Sequence, residues 1–91
     1  MADYSISFAR SARKELEHLS GELAERILAK IETLAENPRP VGVIKLHGQK
    51  NLWRMRVGDY RVYRVVYFID DFSKMIDVSV IRHRRDVYRA L

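Results

Sequence analysis

The stretch WRMRVGDYRVYRVVYFIDD, residues 53–71, decides how the chain is read. Trp53, Met55 and Val57 alternate with Arg54 and Arg56, the period of two of a strand with one apolar face. Gly58-Asp59 is a two-residue hairpin signal, because both residues tolerate the positive φ of a tight turn. Residues 60–69 then read as the returning strand. Simple alternation gives it one face with Arg61, Tyr63, Val65 and Tyr67 and another with Val62, Arg64, Val66 and Phe68. The sequence DDFSK (70–74) is a second turn and MIDVSVI (75–81) a last strand. Ahead of the stretch, VIKLH (43–47) is a short strand and GQKN (48–51) its connection.

Upstream the periodicity is different. DYSISF places Tyr4, Ile6 and Phe8 on one side of a first strand. Phe8, Ala12, Leu16 and Leu19 then line one face of a helix. Ser20-Gly21 breaks it, and Ser20 is a suitable N-cap for a second helix over roughly 21–36. There Leu23, Ile27, Ile31 and Leu34 form a stripe widened by Ala24, Leu28 and Ala35. The second helix ends at ENPRP, since the residue before a proline is disfavoured in the α region. The whole is one α+β domain, residues 1–91, in βααββββ order: an N-terminal strand and an αα-hairpin packed on an antiparallel sheet, with a short C-terminal helix in RHRRDVYRAL.

Composition narrows the function. The 91 residues are 47% hydrophobic and 32% charged, which suits one compact domain. No apolar run reaches the ~18 residues of a membrane span, and the N-terminus lacks a basic-then-apolar signal, so a cytoplasmic protein is expected. Zero cysteines exclude disulfides and thiol nucleophiles, and His18, His47 and His83 are too scattered for a metal-ligand pattern. No glycine-rich phosphate loop exists among four glycines, so no cofactor is expected. Net charge is +5, made of −1 over residues 1–40 and +6 over residues 41–91. A one-sided cationic half points to a phosphate-bearing or acidic partner.

Arg54 and Arg56 leave one strand face about 7 Å apart, close to the spacing of successive backbone phosphates. Two readings fit, a solvated sheet face or a polyanion site. Sheets usually relieve such repulsion with interleaved carboxylates, and only Asp59 is at hand. In the tail, Arg84 and Tyr88 are four apart, as on one face of a helix, and Arg85 and Arg89 make a second pair. A tyrosine among cations has its phenolate stabilised and can act as a general base; His83 is the alternative.

The ordered set YSISF, ENPRP with the following KL and G, WRMRVGDYRVYRVVY and RHRRDVY resembles the RelE/ParE superfamily of bacterial toxins over essentially the whole chain, and more the RelE than the ParE branch. The resemblance implies a ribosome-dependent, metal-independent mRNA endoribonuclease of a type II toxin–antitoxin system. In it the ribose 2′-hydroxyl attacks the adjacent phosphate and leaves a 2′,3′-cyclic phosphate. By the family pattern Arg54 and Arg56 bind phosphate, with Lys45 on the preceding strand beside them. Arg61 follows the hairpin turn, Arg84 assists the leaving oxygen, and Tyr88 or His83 is the base. Family members often carry lysines where this chain has Arg54 and Arg56, and arginine cannot give up its proton, so these two act as clamps. Arg82 stands where many relatives have glycine. Arg64, on the face away from Arg61, receives no role. The implied partners are a cognate antitoxin, the ribosome and mRNA, with operator DNA reached only through the antitoxin. The alternatives are a ParE-like non-enzymatic inhibitor of DNA gyrase and an RNA-binding module on the same scaffold.

Overall fold

The computed structural model of the chain describes residues 3–58 and 63–83. The elements are β1 (Ser5–Phe8), α1 (Arg10–His18), α2 (Gly21–Glu32), a 3₁₀ turn (Thr33–Ala35), β2 (Ile44–Lys45), β3 (Leu52–Val57), β4 (Tyr63–Asp70) and β5 (Met75–His83). The expected order therefore holds, while the strand over 43–47 shrinks to two residues and the last strand runs two residues further. The expected tail helix falls outside the described residues. Ser20 caps α2 as its position suggested, its side chain accepting from the Leu23 amide at 3.4 Å. Among the described residues no helix is long and apolar enough to cross a membrane.

The strands form one sheet in the order β1-β5-β4-β3-β2. β2 to β5 are antiparallel to their neighbours, and β1 joins the edge parallel to β5, Ser5 opposite Met75. The helices cover one face only. Ala12, Ile27, Ile31 and Leu34 meet Met55, Val57, Val65, Tyr67, Ile69, Ile76, Val78 and Ile81 in the buried core. With ~1.5–3 kcal/mol gained per buried aliphatic side chain, this contact outweighs any local preference of the strands.

Two features of the sheet set the orientation of everything charged. Val57 pairs with Tyr63, a register three residues longer than a two-residue turn at Gly58-Asp59 gives. Gly58 leaves the strand with φ of +90°, a conformation that glycine adopts without strain. The second feature is a bulge in β5. Tyr67 pairs with Val78 but Val66 pairs with Val80, leaving Ser79 as the extra residue. Ser11 of α1 donates its hydroxyl to the Ser79 carbonyl at 3.1 Å, which ties the bulge to the helix layer. Because of this inserted residue, Ile76, Val78 and Ile81 all face the core and Arg82 turns outward.

The ENPRP segment locks the pole of the sheet where β4 turns into β5. The Tyr67 hydroxyl donates to the Pro38 carbonyl at 2.8 Å inside the core, and burial pushes its pKa up to about 12, so it remains a donor. Arg39 grips Asp71 with two nitrogens at 3.1 and 2.7 Å and lies 4.9 Å over the Trp53 ring. Tyr4 also donates to Asp71, at 2.6 Å. The hydrogen bonds from Arg39 and then Tyr4 hold the Asp71 carboxyl at about 2, below its ordinary 3.8.

Tyr67→Phe removes the buried donor and strands the Pro38 carbonyl, so urea unfolding should show a loss of ~1–3 kcal/mol with an unchanged m-value. For Asp71 the folded pKa is depressed, so its contribution is complete above pH ~4 and disappears as pH falls through about 2. Thermal scans from pH 5 to pH 2 should therefore show a shallower acid loss in Asp71→Asn than in the parent chain; identical slopes would remove the ion pair from the account of stability.

Candidate functional site

Apart from Leu46–Asn51 at one pole, the sheet face away from the helices is built in four cross-strand rows. Alternation from the buried Met55, Val57, Val65, Tyr67 and Ile69 fixes which residues point outward. Nearest the β4–β5 turn lie Asp70 and Met75, then Leu52, Phe68 and Asp77, then Ile44, Arg54, Val66 and Val80. The last row is Arg56, Arg64 and Arg82, each directly opposite the next across three strands. Directly opposed residues have Cβ atoms ~4.5–5.5 Å apart, so three guanidinium groups share one narrow patch with Arg54 one row behind.

Such a row is destabilising by itself, since like charges directly opposite cost ~0.2–1 kcal/mol per pair. The cross-strand neighbours of Arg64 are two further arginines, not carboxylates. The Arg64 Nε is also buried, with no hydrogen-bond acceptor among the described residues. A buried N–H of a charged group calls for an acceptor, and an anion held between Arg56, Arg64 and Arg82 would supply one. The patch can bind an oxyanion or spread charge over a phosphorane by preorganised positive charge. None of its members can accept a proton at neutral pH.

The residues expected from sequence divide three ways. Arg54 and Arg56 stand together on the open face. Lys45 does not join them: it pairs with Trp53, on the other side of the sheet, with its Nζ 5.9 Å over the indole ring. His83 is likewise on the helix side, opposite Tyr63, their rings edge to face at 5.1 Å and 84°. Arg61, Arg84 and Tyr88 lie outside the described residues. The chain leaves the described residues at Gly58 and His83 and re-enters at Tyr63, and all three ends adjoin the arginine row.

Arg64, to which the sequence assigned nothing, is the central member of the row. A two-residue turn at Gly58-Asp59 sets Arg61 opposite Arg56; the observed register, three residues longer, sets Arg64 there instead. The signal was present in the run Val65, Tyr67, Ile69, which is the more apolar alternate set of β4 and leaves Arg64 on the other face. Arg82 was hidden by the Ser79 bulge, which strict alternation does not anticipate.

Comparison with known proteins agrees with this architecture. The model of a family described as the ParE toxin of type II toxin–antitoxin systems, parDE, matches residues 6–88. The toxin RelE3 of Methanocaldococcus jannaschii is 29% identical over 87 residues, covering 91% of this chain and 93% of that protein. The RelE chain of the archaeal RelE–RelB complex from Pyrococcus horikoshii superposes with a TM-score of 0.76 at 29% identity, over 90% of this chain and 96% of that one. The intact E. coli RelBE toxin–antitoxin complex gives 0.75 at 25% identity, over 88% and 95%.

The like-charge row makes a prediction independent of any ligand. Screening should relieve it, so the parent chain should gain stability between 50 and 500 mM salt, and Arg64→Met should be more stable than the parent at low salt by ~0.2–1 kcal/mol. Equal salt dependence in the two proteins, followed by denaturant unfolding, would show that the row is not strained. On the family match over nearly its full length, the chain belongs to the ParE toxin family of type II toxin–antitoxin systems, within the RelE/ParE superfamily.

Proposed function

We propose that the protein is a RelE-like, ribosome-dependent mRNA endoribonuclease that inhibits translation, and that its phosphate site is the face bearing Arg54, Arg56, Arg64 and Arg82. The observation that carries this reading is the row of three arginines on the sheet face away from the helices, with a buried N–H at its centre that has no acceptor among the described residues.

The scissile phosphate sits against Arg56, Arg64 and Arg82, with Arg54 holding its neighbour. A general base takes the proton of the ribose 2′-hydroxyl, the oxygen attacks phosphorus, and the 5′-oxygen leaves as the bond to it breaks. The products are a 2′,3′-cyclic phosphate and a 5′-hydroxyl. The arginines stabilise the added negative charge of the phosphorane and of the departing oxygen, which then takes a proton from water. Tyr88 is the base by family resemblance, its phenolate favoured by the arginines that flank it in the sequence. His83 ranks behind it, because its ring is on the helix side with Tyr63. Arg61 and Arg84 keep the roles that the resemblance gives them, phosphate contact and support of the leaving oxygen. With so little acid–base equipment the ribosome supplies the orientation of the RNA, and free RNA is cut slowly.

A cognate antitoxin is part of this reading: relatives with at least 25% identity include RelE–RelB complexes, and a basic domain of this kind requires an acidic or amphipathic segment to hold it silent. Operator DNA is reached through that antitoxin.

One observation favours a second reading. The matching family description names ParE, and a ParE-like chain would act as a non-enzymatic inhibitor of DNA gyrase on the same fold. Induction of the protein followed by mapping of mRNA 5′ ends separates the two. Cuts confined to translated codons, reduced ~10²–10³-fold by Arg64→Ala and by Arg56→Ala and ~10²-fold or more by Tyr88→Phe, are expected of the nuclease. Intact mRNA with lost supercoiling would overturn it in favour of gyrase. Full cleavage by Arg64→Ala would move the site away from the arginine row.

A further inference from the structure

On the sheet face away from the helices, Phe68 of β4 stands directly opposite Leu52 of β3 and Asp77 of β5. Phe68 is the aromatic member of the four rows, and its ring is 37% exposed. Asp77 is held in place beside it, because its Oδ1 accepts from the hydroxyl of Ser7 on β1 at 3.0 Å. Its Oδ2 accepts from no described residue. Strand residues two apart are ~7 Å apart, so the row with Arg54 and Val66 lies ~7 Å from this pair. The row of Arg56, Arg64 and Arg82 lies ~14 Å from it. The phosphate chemistry uses neither Phe68 nor Asp77.

We propose that Phe68 and Asp77 read one base of an RNA whose phosphates lie on the arginines, and that the base they favour is guanine. The proposal takes the arginine row as the phosphate site, and so rests on the nuclease reading for its register. A nucleotide whose phosphate meets Arg54 has its base within the reach of one sugar, the distance to the next row. The ring of Phe68 supplies a stacking surface that every base can use. The carboxylate beside it supplies the discrimination. On its Watson–Crick edge guanine carries two adjacent donors, N1–H and N2–H, which Oδ2 and the second lone pair of Oδ1 accept together. Adenine and cytosine place an acceptor nitrogen beside their amino group, and uracil flanks its one N–H with two carbonyl oxygens, so each turns an acceptor towards the carboxylate.

The order of charges along the face favours this occupant. Phosphates are repelled by Asp70 and Asp77, whereas base edges bear donors and no charge. An acidic protein segment on the same ground is opposed by the two carboxylates, and an apolar one leaves the Asp77 Oδ2 without a donor. Single-stranded RNA carries both characters, a charged backbone for the arginine end and flat, donor-bearing bases for the Phe68 end.

Fluorescence anisotropy of the full chain with labelled 2′-O-methyl RNA tests this without cleavage, since the blocked 2′-oxygen cannot attack. The probes are an oligouridylate, the same strand with guanine at every third position, and the same strand with abasic sites at those positions. At low salt the parent should bind the guanine strand ~5–100-fold more tightly than the abasic one. Phe68→Ala should remove most of that difference and leave binding of the abasic strand within about twofold of the parent's, whereas Phe68→Tyr should keep it. Asp77→Asn should bind the guanine and uridine strands alike, where the parent favours guanine ~5–100-fold. Phe72→Ala should change nothing, although Phe72 is 99% exposed, because it lies in the turn outside the four rows. A parent that binds the three strands equally, or none of them, overturns the proposal. So does Phe68→Ala weakening the abasic strand as much as the guanine strand, the mark of a disturbed sheet. If Arg64→Ala weakens every strand and Phe68→Ala none, the phosphate site stands and the base subsite falls. If the guanine preference is found and induced cells show no new mRNA 5′ ends, the subsite stands and the nuclease reading falls.

Discussion

Burial of Val65, Tyr67 and Ile69 beneath the two helices is the constraint on which the rest of the molecule depends. These side chains occupy every second position of β4, so sending them inward sends Arg64, Val66 and Phe68 outward with no further choice. The register with β3 follows, because Met55 and Val57 must share the buried face. The opposition of Arg56 and Arg64 is then a by-product of core packing. Slipping the pairing by one residue would relieve the arginines but expose the apolar set. At ~1.5–3 kcal/mol for each apolar side chain, against at most ~1 kcal/mol for each like-charge pair, the core wins.

The helix expected over roughly 21–36 ends at Glu32 and gives way to a 3₁₀ turn, and the ENPRP segment that follows fastens this arrangement. Pro38 offers its carbonyl to Tyr67 in the core, and the next residue, Arg39, reaches the turn after β4 and the Trp53 ring on β3. A helix terminus, the middle of β4 and the neighbouring strand are thus held by two adjacent residues. Tyr4, just before β1, adds the N-terminal strand through Asp71. The tie acts at the pole opposite the arginine row, so the turn end of the sheet is pinned by side-chain hydrogen bonds, while at the other end Tyr63 and His83 meet edge to face.

Much of this was legible in the sequence, and the failures have a common cause. The helices, the Ser20 cap, the proline stop and the alternation of β3 rest on interactions within a few residues, and local pattern reports them. Which of two alternate sets in β4 faces the core was harder to read, because Val66 and Phe68 make the outward set partly apolar as well. It depends on the length of the connection after Val57, where Gly58-Asp59 suggested a shorter one. Arg82 was harder still. Its orientation depends on Ser79, whose carbonyl is held by Ser11 on a helix 68 residues away in sequence. Register and bulge are tertiary facts, and a one-residue difference in either reverses a whole face. The family likeness carried the arginine–tyrosine chemistry, while geometry decided which arginines stand together.

The division of the open face explains why a toxin of this size can carry such a row at all. With helices on one side only, a small domain leaves a whole sheet face to solvent, and that face must be polar enough to stay soluble. This chain meets the demand unevenly, with carboxylates and apolar side chains towards the turn and arginines towards the hairpin. Interleaving the two signs would have relieved the like-charge repulsion, because cross-strand pairs of opposite charge stabilise a sheet. Segregation instead sets three guanidinium groups side by side, so that their fields add at one end of the face. The repulsion is carried by the core beneath, since the register that buries Val65 against Ile81 is the one that sets Arg64 opposite Arg82.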